Sequence, residues 1–280
     1  MITDANACKA RDGMESVQGK LSYEDNPDFF LHFPDYSSSS QRVVVFPNQL
    51  ILPLNIYLAP SWKNKFNKRG DGGVNMAKEI LILVKRLFLH DSLETKFFIR
   101  YEDSDFFQIP TEVEPTLQGL KKLSRYLSNQ KQSNDRVASI YLTSPNSSSE
   151  YFGIGKILAM CEPAKKKAMS IVRWKESTVT TAETIAHEIG HNLGMYHDFQ
   201  AYPEVRTGRS RTCGPGKWNG GPTNQLMNYG EPIENTWSSC SNEDFQNFYS
   251  IVTANNRKFC LQEHEGNFIS FVLNLLQYVL

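Results

Sequence analysis

The chain has 280 residues, 40% of them hydrophobic, and its 30 basic and 30 acidic side chains give a formal net charge of zero. That length holds one large domain or two small ones, and the charge balance argues against a nucleic-acid or anionic-membrane partner. No stretch of about twenty apolar residues occurs, so no membrane span is expected.

Residues 1–42 are polar and end near Ser37-Ser38-Ser39-Ser40, which reads as a poorly ordered tail or the end of a pro-region. Met1–Asn6 lacks a basic region followed by an apolar run, so no signal peptide is expected in this form. Two strand-like runs follow, Val43–Phe46 and Leu54–Leu58. Residues 74–89 have the periodicity of an amphipathic helix, with Ile80, Leu81, Leu83, Val84, Leu87 and Phe88 as its apolar stripe. Lys96–Tyr101 is a further strand. Pro115–Asn129 is a second helix with Leu117, Leu120, Leu123 and Leu127 on one side, and Val137–Thr143 is another strand. Asn146-Ser147-Ser148 is an N-glycosylation acceptor pattern that matters only in a secreted chain. Gly153–Cys161 and Ala168–Val172 read as strands. Strands alternating with helices predict an α/β sandwich.

The next helix carries the chemistry. Thr180 and Glu183 fit a Thr-x-x-Glu capping box, which gives Glu183 a structural role. His187 and His191 stand four residues apart, so on a helix both imidazoles leave the same face and share one metal ion. Ile185, Ile189 and Leu193 then face the core. Glu188, next to the first ligand, is placed to act on a metal-activated water as general base. Gly194 lets the chain leave the helix, because glycine accepts the left-handed conformation that ends one. The turn returns His197 as a third nitrogen ligand. Three protein ligands with an open fourth position mark a catalytic rather than a structural zinc site. With three nitrogen ligands in hand, Asp198 reads as a structural hydrogen-bond acceptor.

Residues 201–224 are rich in glycine, proline and polar side chains and read as a long loop. Residues 242–256 are helical, with Phe245, Phe248, Ile251 and Val252 as an apolar face, and Phe268–Leu280 is an apolar run too short to span a bilayer. The five cysteines are Cys8, Cys161, Cys213, Cys240 and Cys260, and their spacing alone does not separate disulfides from free thiols.

The pattern His187-Glu188-x-x-His191-x-x-Gly194-x-x-His197 resembles that of the metzincin metalloproteases, and the following Asp198 resembles their adamalysin (reprolysin) branch, which includes ADAM, ADAMTS and snake-venom metalloproteinase catalytic domains. Gln225-Leu226-Met227-Asn228-Tyr229 looks like the branch's methionine turn, and Trp237–Ser241 and Cys260-Leu261 are further matches. The resemblance covers residues 43–262 and implies several things. The first is a sandwich of a mixed twisted sheet with helices, its active-site helix followed by a loop-rich C-terminal subdomain. Others are Zn2+ held by His187, His191 and His197, Glu188 as catalytic base, Met227 as an apolar floor, and disulfides Cys161–Cys260 and Cys213–Cys240. Residues 263–280 then form a C-terminal tail. Gly153–Cys161 resembles the branch's edge strand, whose free backbone groups accept an extended protein or peptide substrate; the plain alternative is an ordinary sheet strand with glycine kinks. The implied activity is that of a secreted zinc endopeptidase. A silent relative that binds a partner through the same cleft, and a zinc hydrolase acting on something other than peptides, are the alternatives. Intact Glu188 favours an enzyme. Cys8 is left over from the pairing, and a thiolate there would be able to cap the zinc.

Overall fold

The sheet is assembled around β2 (Gln49–Leu58), a ten-residue strand. The structure is a computed structural model that describes residues 7–9, 45–67, 70–129, 137–144, 151–161, 168–198, 225–228, 234–254 and 258–264. Among these residues the other strands are β1 (Ala7–Lys9), β3 (Lys96–Arg100), β4 (Phe106–Gln108), β5 (Ala138–Thr143), β6 (Tyr151–Gly155), β7 (Met169–Arg173) and β8 (Gln262–Glu263). The helices are α1 (Pro60–Phe66), α2 (Val74–Phe88), α3 (Leu117–Asn129), α4 (Thr178–Asn192) and α5 (Ser239–Thr253).

The strand order is β1-β6-β7-β5-β2-β3, with β4 and β8 also on β2. Pairs β2–β3, β2–β4, β2–β5 and β5–β7 are parallel, whereas β1–β6, β6–β7 and β2–β8 are antiparallel. The fold is therefore the expected α/β arrangement on a mixed sheet. Pro53 sits inside β2, where a missing N–H would break a ladder. It falls where β2 changes neighbours, since Leu50 and Ile51 pair with β8 and pairing with β5 begins at Leu54. Leu52, Leu54, Ile56 and Leu58 of β2 and Ile140 and Leu142 of β5 are fully buried, and α2 and α4 pack on each other over the sheet.

Several expected elements shift. Val45 is 81% exposed and neither it nor Phe46 is in a strand; the strand begins after Pro47, at Gln49. α3 starts at Leu117, two residues after Pro115, and Leu117 is exposed while Leu120, Leu123 and Leu127 are buried. A residue at the first helical position lies before the stripe that packs on the sheet. β6 ends at Gly155 rather than running to Cys161, because the chain turns through positive φ at Leu158 and at Cys161. Nor is β6 the sheet edge among the described residues: β1 pairs with it, with Ala7 opposite Ile154 and Lys9 opposite Tyr151. The expectation for residues 1–42 contained no strand, since three residues are too few to register as a period. Val43 and Val44, Asn146, the 201–224 loop with Cys213, Tyr229 and Phe268–Leu280 lie outside the described residues.

A disulfide joins Cys161, just after β6, to Cys260, just before β8, across 99 residues of sequence. Cys240 is also disulfide-bonded. A cross-link closing about 100 residues restricts the unfolded chain by up to about 4.7 kcal/mol, and removing native bridges costs about 2–5 kcal/mol. The Cys161→Ser/Cys260→Ser chain is accordingly expected to lose about 2–5 kcal/mol of unfolding free energy in urea titrations.

Candidate metal centre

α4 is buried over its whole length from Thr181 to Asn192. Its N-cap is Ser177, whose Oγ accepts from Val179 N at 3.2 Å, and not Thr180. The helix begins a turn earlier than the Thr180–Glu183 box predicts because Thr180 and Thr181 turn their hydroxyls back to carbonyls. Thr180 Oγ1 donates to Lys175 O at 3.0 Å and Thr181 Oγ1 to Ser177 O at 2.7 Å. Ile185, Ile189 and Leu193 face the core as expected, with no exposed surface.

Gly194, at φ 91°, ends the helix, and its N–H donates to His191 O at 3.0 Å. The chain then carries His197 back beneath α4. The partners that pin this turn lie far along the sequence. Tyr196 N donates to Asp244 Oδ2 of α5 at 2.8 Å, Asp198 N donates to Met227 O at 3.1 Å, and Ser238 Oγ donates to Asp198 Oδ1 at 2.5 Å. Asp198 is thus a structural acceptor, the role expected once three nitrogen ligands suffice. Met227 is fully buried, and a methyl added at Gly190 would lie 2.7 Å from its Sδ, so the methionine packs directly beneath the helix between the two histidines.

The three histidines come together. His197 Nε2 lies 3.0 Å from His187 Nε2 and 3.2 Å from His191 Nε2, and all three residues are buried. His187 Nδ1 donates to Leu226 O at 2.6 Å and His191 Nδ1 to Met195 O at 2.8 Å. A ring nitrogen that donates to a carbonyl carries the proton, which leaves a lone pair on each Nε2. Burial pushes the His187 imidazolium down to about 4, against the pull of its bond to Leu226. Burial and then the charge of His187 hold His191 well below the ordinary range, with its bond to Met195 opposing. Both rings are therefore neutral near pH 7. His197 Nε2 has at most one proton to offer two acceptors, so the cluster favours a cation at its centre. With Zn–N bonds of about 2.0–2.1 Å and tetrahedral angles, ligand nitrogens stand about 3.3 Å apart. The observed separations fit that set, and the three residues are able to hold a metal ion.

Glu188 is fully buried on the same helix, turned toward β6. Asn192, also fully buried, donates through Nδ2 to Lys156 O at 2.8 Å, and Leu158 N returns a bond to His191 O at 3.0 Å. These bonds lash the last turn of α4 to the segment after β6.

The profile of the Reprolysin (M12B) family zinc metalloproteases matches residues 74–264, a span that takes in α2, the sheet from β3 onward and the whole histidine cluster. The chain belongs to this family. Among similar proteins is a "Zinc metalloproteinase/disintegrin" of Bitis gabonica, 29% identical over 153 residues, which are 53% of this chain and 40% of that protein. Mouse "A disintegrin and metalloproteinase with thrombospondin motifs 12" is 30% identical over 114 residues, 41% of this chain and 6% of that protein. Human "Disintegrin and metalloproteinase domain-containing protein 9" is 40% identical over 67 residues, 24% of this chain and 6% of that protein. The chain spans at most 40% of the length of these relatives. Among solved structures, metalloproteinase-II from Bacteroides fragilis is similar at 16% identity and a TM-score of 0.43, over 80% of this chain and 58% of that one.

The motif histidines and Glu188 are thus found where their spacing put them, on and just after one buried helix. The residues that sequence reasoning missed are the ones that orient them: the carbonyls of Leu226 and Met195, and the side chains of Ser238, Asp244 and Asn192. A backbone carbonyl leaves no mark in sequence. Asn192 lies inside the motif, yet its partner, Lys156 O, is likewise backbone.

Proposed function

We propose that this chain is a secreted zinc endopeptidase whose catalytic unit comprises residues 43–262. The observation that carries the reading is the convergence of three buried imidazoles, two on α4 and one from the turn that follows it, on a helix that also bears Glu188. In this reading His187, His191 and His197 hold zinc through Nε2. Zinc bound there supplies Lewis-acid polarisation of the scissile carbonyl and lowers the pKa of water. Glu188 takes the proton of the attacking water and delivers it to the amine as the C–N bond breaks. The protein substrate lies extended along β6 as an added strand, reading main chain rather than a single side chain. The β1–β6 ladder supports that mode, since Ala7–Lys9 already pair with this strand antiparallel. The Cys161–Cys260 disulfide supports an oxidising, extracellular location. Among the described residues no helix is long and apolar enough to cross a membrane.

A substrate strand and β1 compete for one side of β6. The test is therefore cleavage of casein by the full chain and by a chain lacking residues 1–42, each with chelator and after zinc is restored. Cleavage that is lost to chelator and regained with zinc is the expected result, with the shortened chain the faster of the two. Absence of cleavage by both chains, each loaded with zinc, would leave a silent binding module as the better account.

A further inference from the structure

We infer that Gly153 and Gly155 of β6 are positioning residues for Glu188: the missing side chains at these two positions form the seat that holds its carboxylate. The inference rests on the reading of Glu188 as general base.

Alternate residues of a strand share a face, so the two glycines look one way and Ile154 the other. The side they face is α4. A methyl added at Gly153 would collide with Glu188 Oε1 and lie 2.9 Å from Glu188 Cγ and 2.7 Å from Thr184 Cγ2. One added at Gly155 would lie 2.9 Å from Glu188 Oε2, 2.8 Å from Glu188 O and 3.0 Å from Ser170 Oγ. Each glycine thus meets a different oxygen of the same carboxylate. These separations fall far inside the about 3.5–4.0 Å of comfortable contact between heavy atoms.

The helix and the strand are not free to part and make room. Leu158 N donates to His191 O, Ala159 N and Met160 N donate to Asn192 O, and Asn192 Nδ2 donates to Lys156 O. Those four bonds tie the end of α4 to the residues directly after Gly155. The soft coordinate that remains is the Glu188 side chain, so a methyl at Gly153 drives the carboxylate off its seat. Glycine's usual service, close approach of two backbones, accounts for the Glu188 O contact at Gly155. It does not account for Gly153, whose nearest neighbours are all side-chain atoms with Glu188 first among them. The imidazoles stay in place, because their Nδ1 protons are held by Leu226 O and Met195 O on separate segments.

The experiment is a double-mutant cycle of Gly153→Ala and Glu188→Ala, read first as the melting midpoint of the metal-free full-length chain. Gly153→Ala is expected to lower the midpoint by about 3–10 °C with Glu188 present, and by less than half as much once Glu188→Ala has emptied the seat. An equal loss in both backgrounds, or failure to fold in both, overturns the inference, because the methyl would then be displacing Thr184 or the strand itself. Repeating the cycle in a Thr184→Ser chain, which lacks the competing methyl, is expected to sharpen the coupling; loss of the coupling there also overturns it. Zinc-loaded Gly153→Ala is expected to keep its metal and its KM, with kcat down roughly 10- to 100-fold. Wild-type kcat in that chain counts against the seat. Full activity of Glu188→Gln beside a coupled cycle would remove the general base and leave the seat standing, whereas an inactive Glu188→Gln beside an uncoupled cycle would do the reverse.

Discussion

In a Glu188→Gln chain, kcat for casein cleavage falls by about 10²- to 10⁴-fold while zinc content is unchanged. The carboxamide has the shape of the carboxylate and occupies the same buried place against β6, so packing is preserved. It cannot take a proton from water at neutral pH. The loss corresponds to about 3–5 kcal/mol of transition-state stabilisation, and because the group is not a zinc ligand in this reading, KM and metal affinity should scarcely move. Initial rates over a range of casein concentrations, with zinc measured on the same sample, check this. An undiminished rate would sink the general-base assignment.

His191→Ala is expected to fail differently. It removes one of three nitrogens from the centre, and it also leaves Met195 O without its donor and opens a hole under α4. Loss of an outer partner of a metal ligand already costs about 10–100-fold in affinity, so loss of the ligand itself should weaken zinc binding by more than about 100-fold. Competition against a chelator of known affinity reads this directly. The metal-free variant should still fold cooperatively, at a cost of about 1–3 kcal/mol for the orphaned carbonyl. Wild-type zinc affinity in this chain would mean that the three-nitrogen set is wrong. Together the two variants separate holding the metal from using it.

What can be read from this chain without coordinates is whatever is encoded within a helical turn or two. The four-residue spacing of His187 and His191 sets both rings on one face by geometry alone, Gly194 marks the exit, and the strip from Ile80 to Phe88 declares a buried helix face. Local readings failed where a single signal was asked to stand for a neighbourhood. Thr180 and Glu183 have the spacing of a capping box, but Ser177 had already capped the helix and the threonine hydroxyls were drawn back to Lys175 and Ser177 carbonyls. Val45 has the character of a strand residue but pairs with no strand among the described residues, and it is 81% exposed.

The sequence by itself marked the three candidate metal donors, the proposed base and the longer helices α2 to α5, because side-chain chemistry and short-range periodicity are properties of the chain. Only the tertiary structure decided how those groups are aimed. The protons on His187 and His191 are directed by the carbonyls of Leu226 and Met195. The turn bearing His197 is held from α5 by Asp244 and from its cap by Ser238. Ala7–Lys9 reaches β6 from more than a hundred residues away in sequence. Each of these rests on backbone groups or distant partners, and a backbone carbonyl is the same atom pair in every residue, so its role appears only once the chain has brought it to the site.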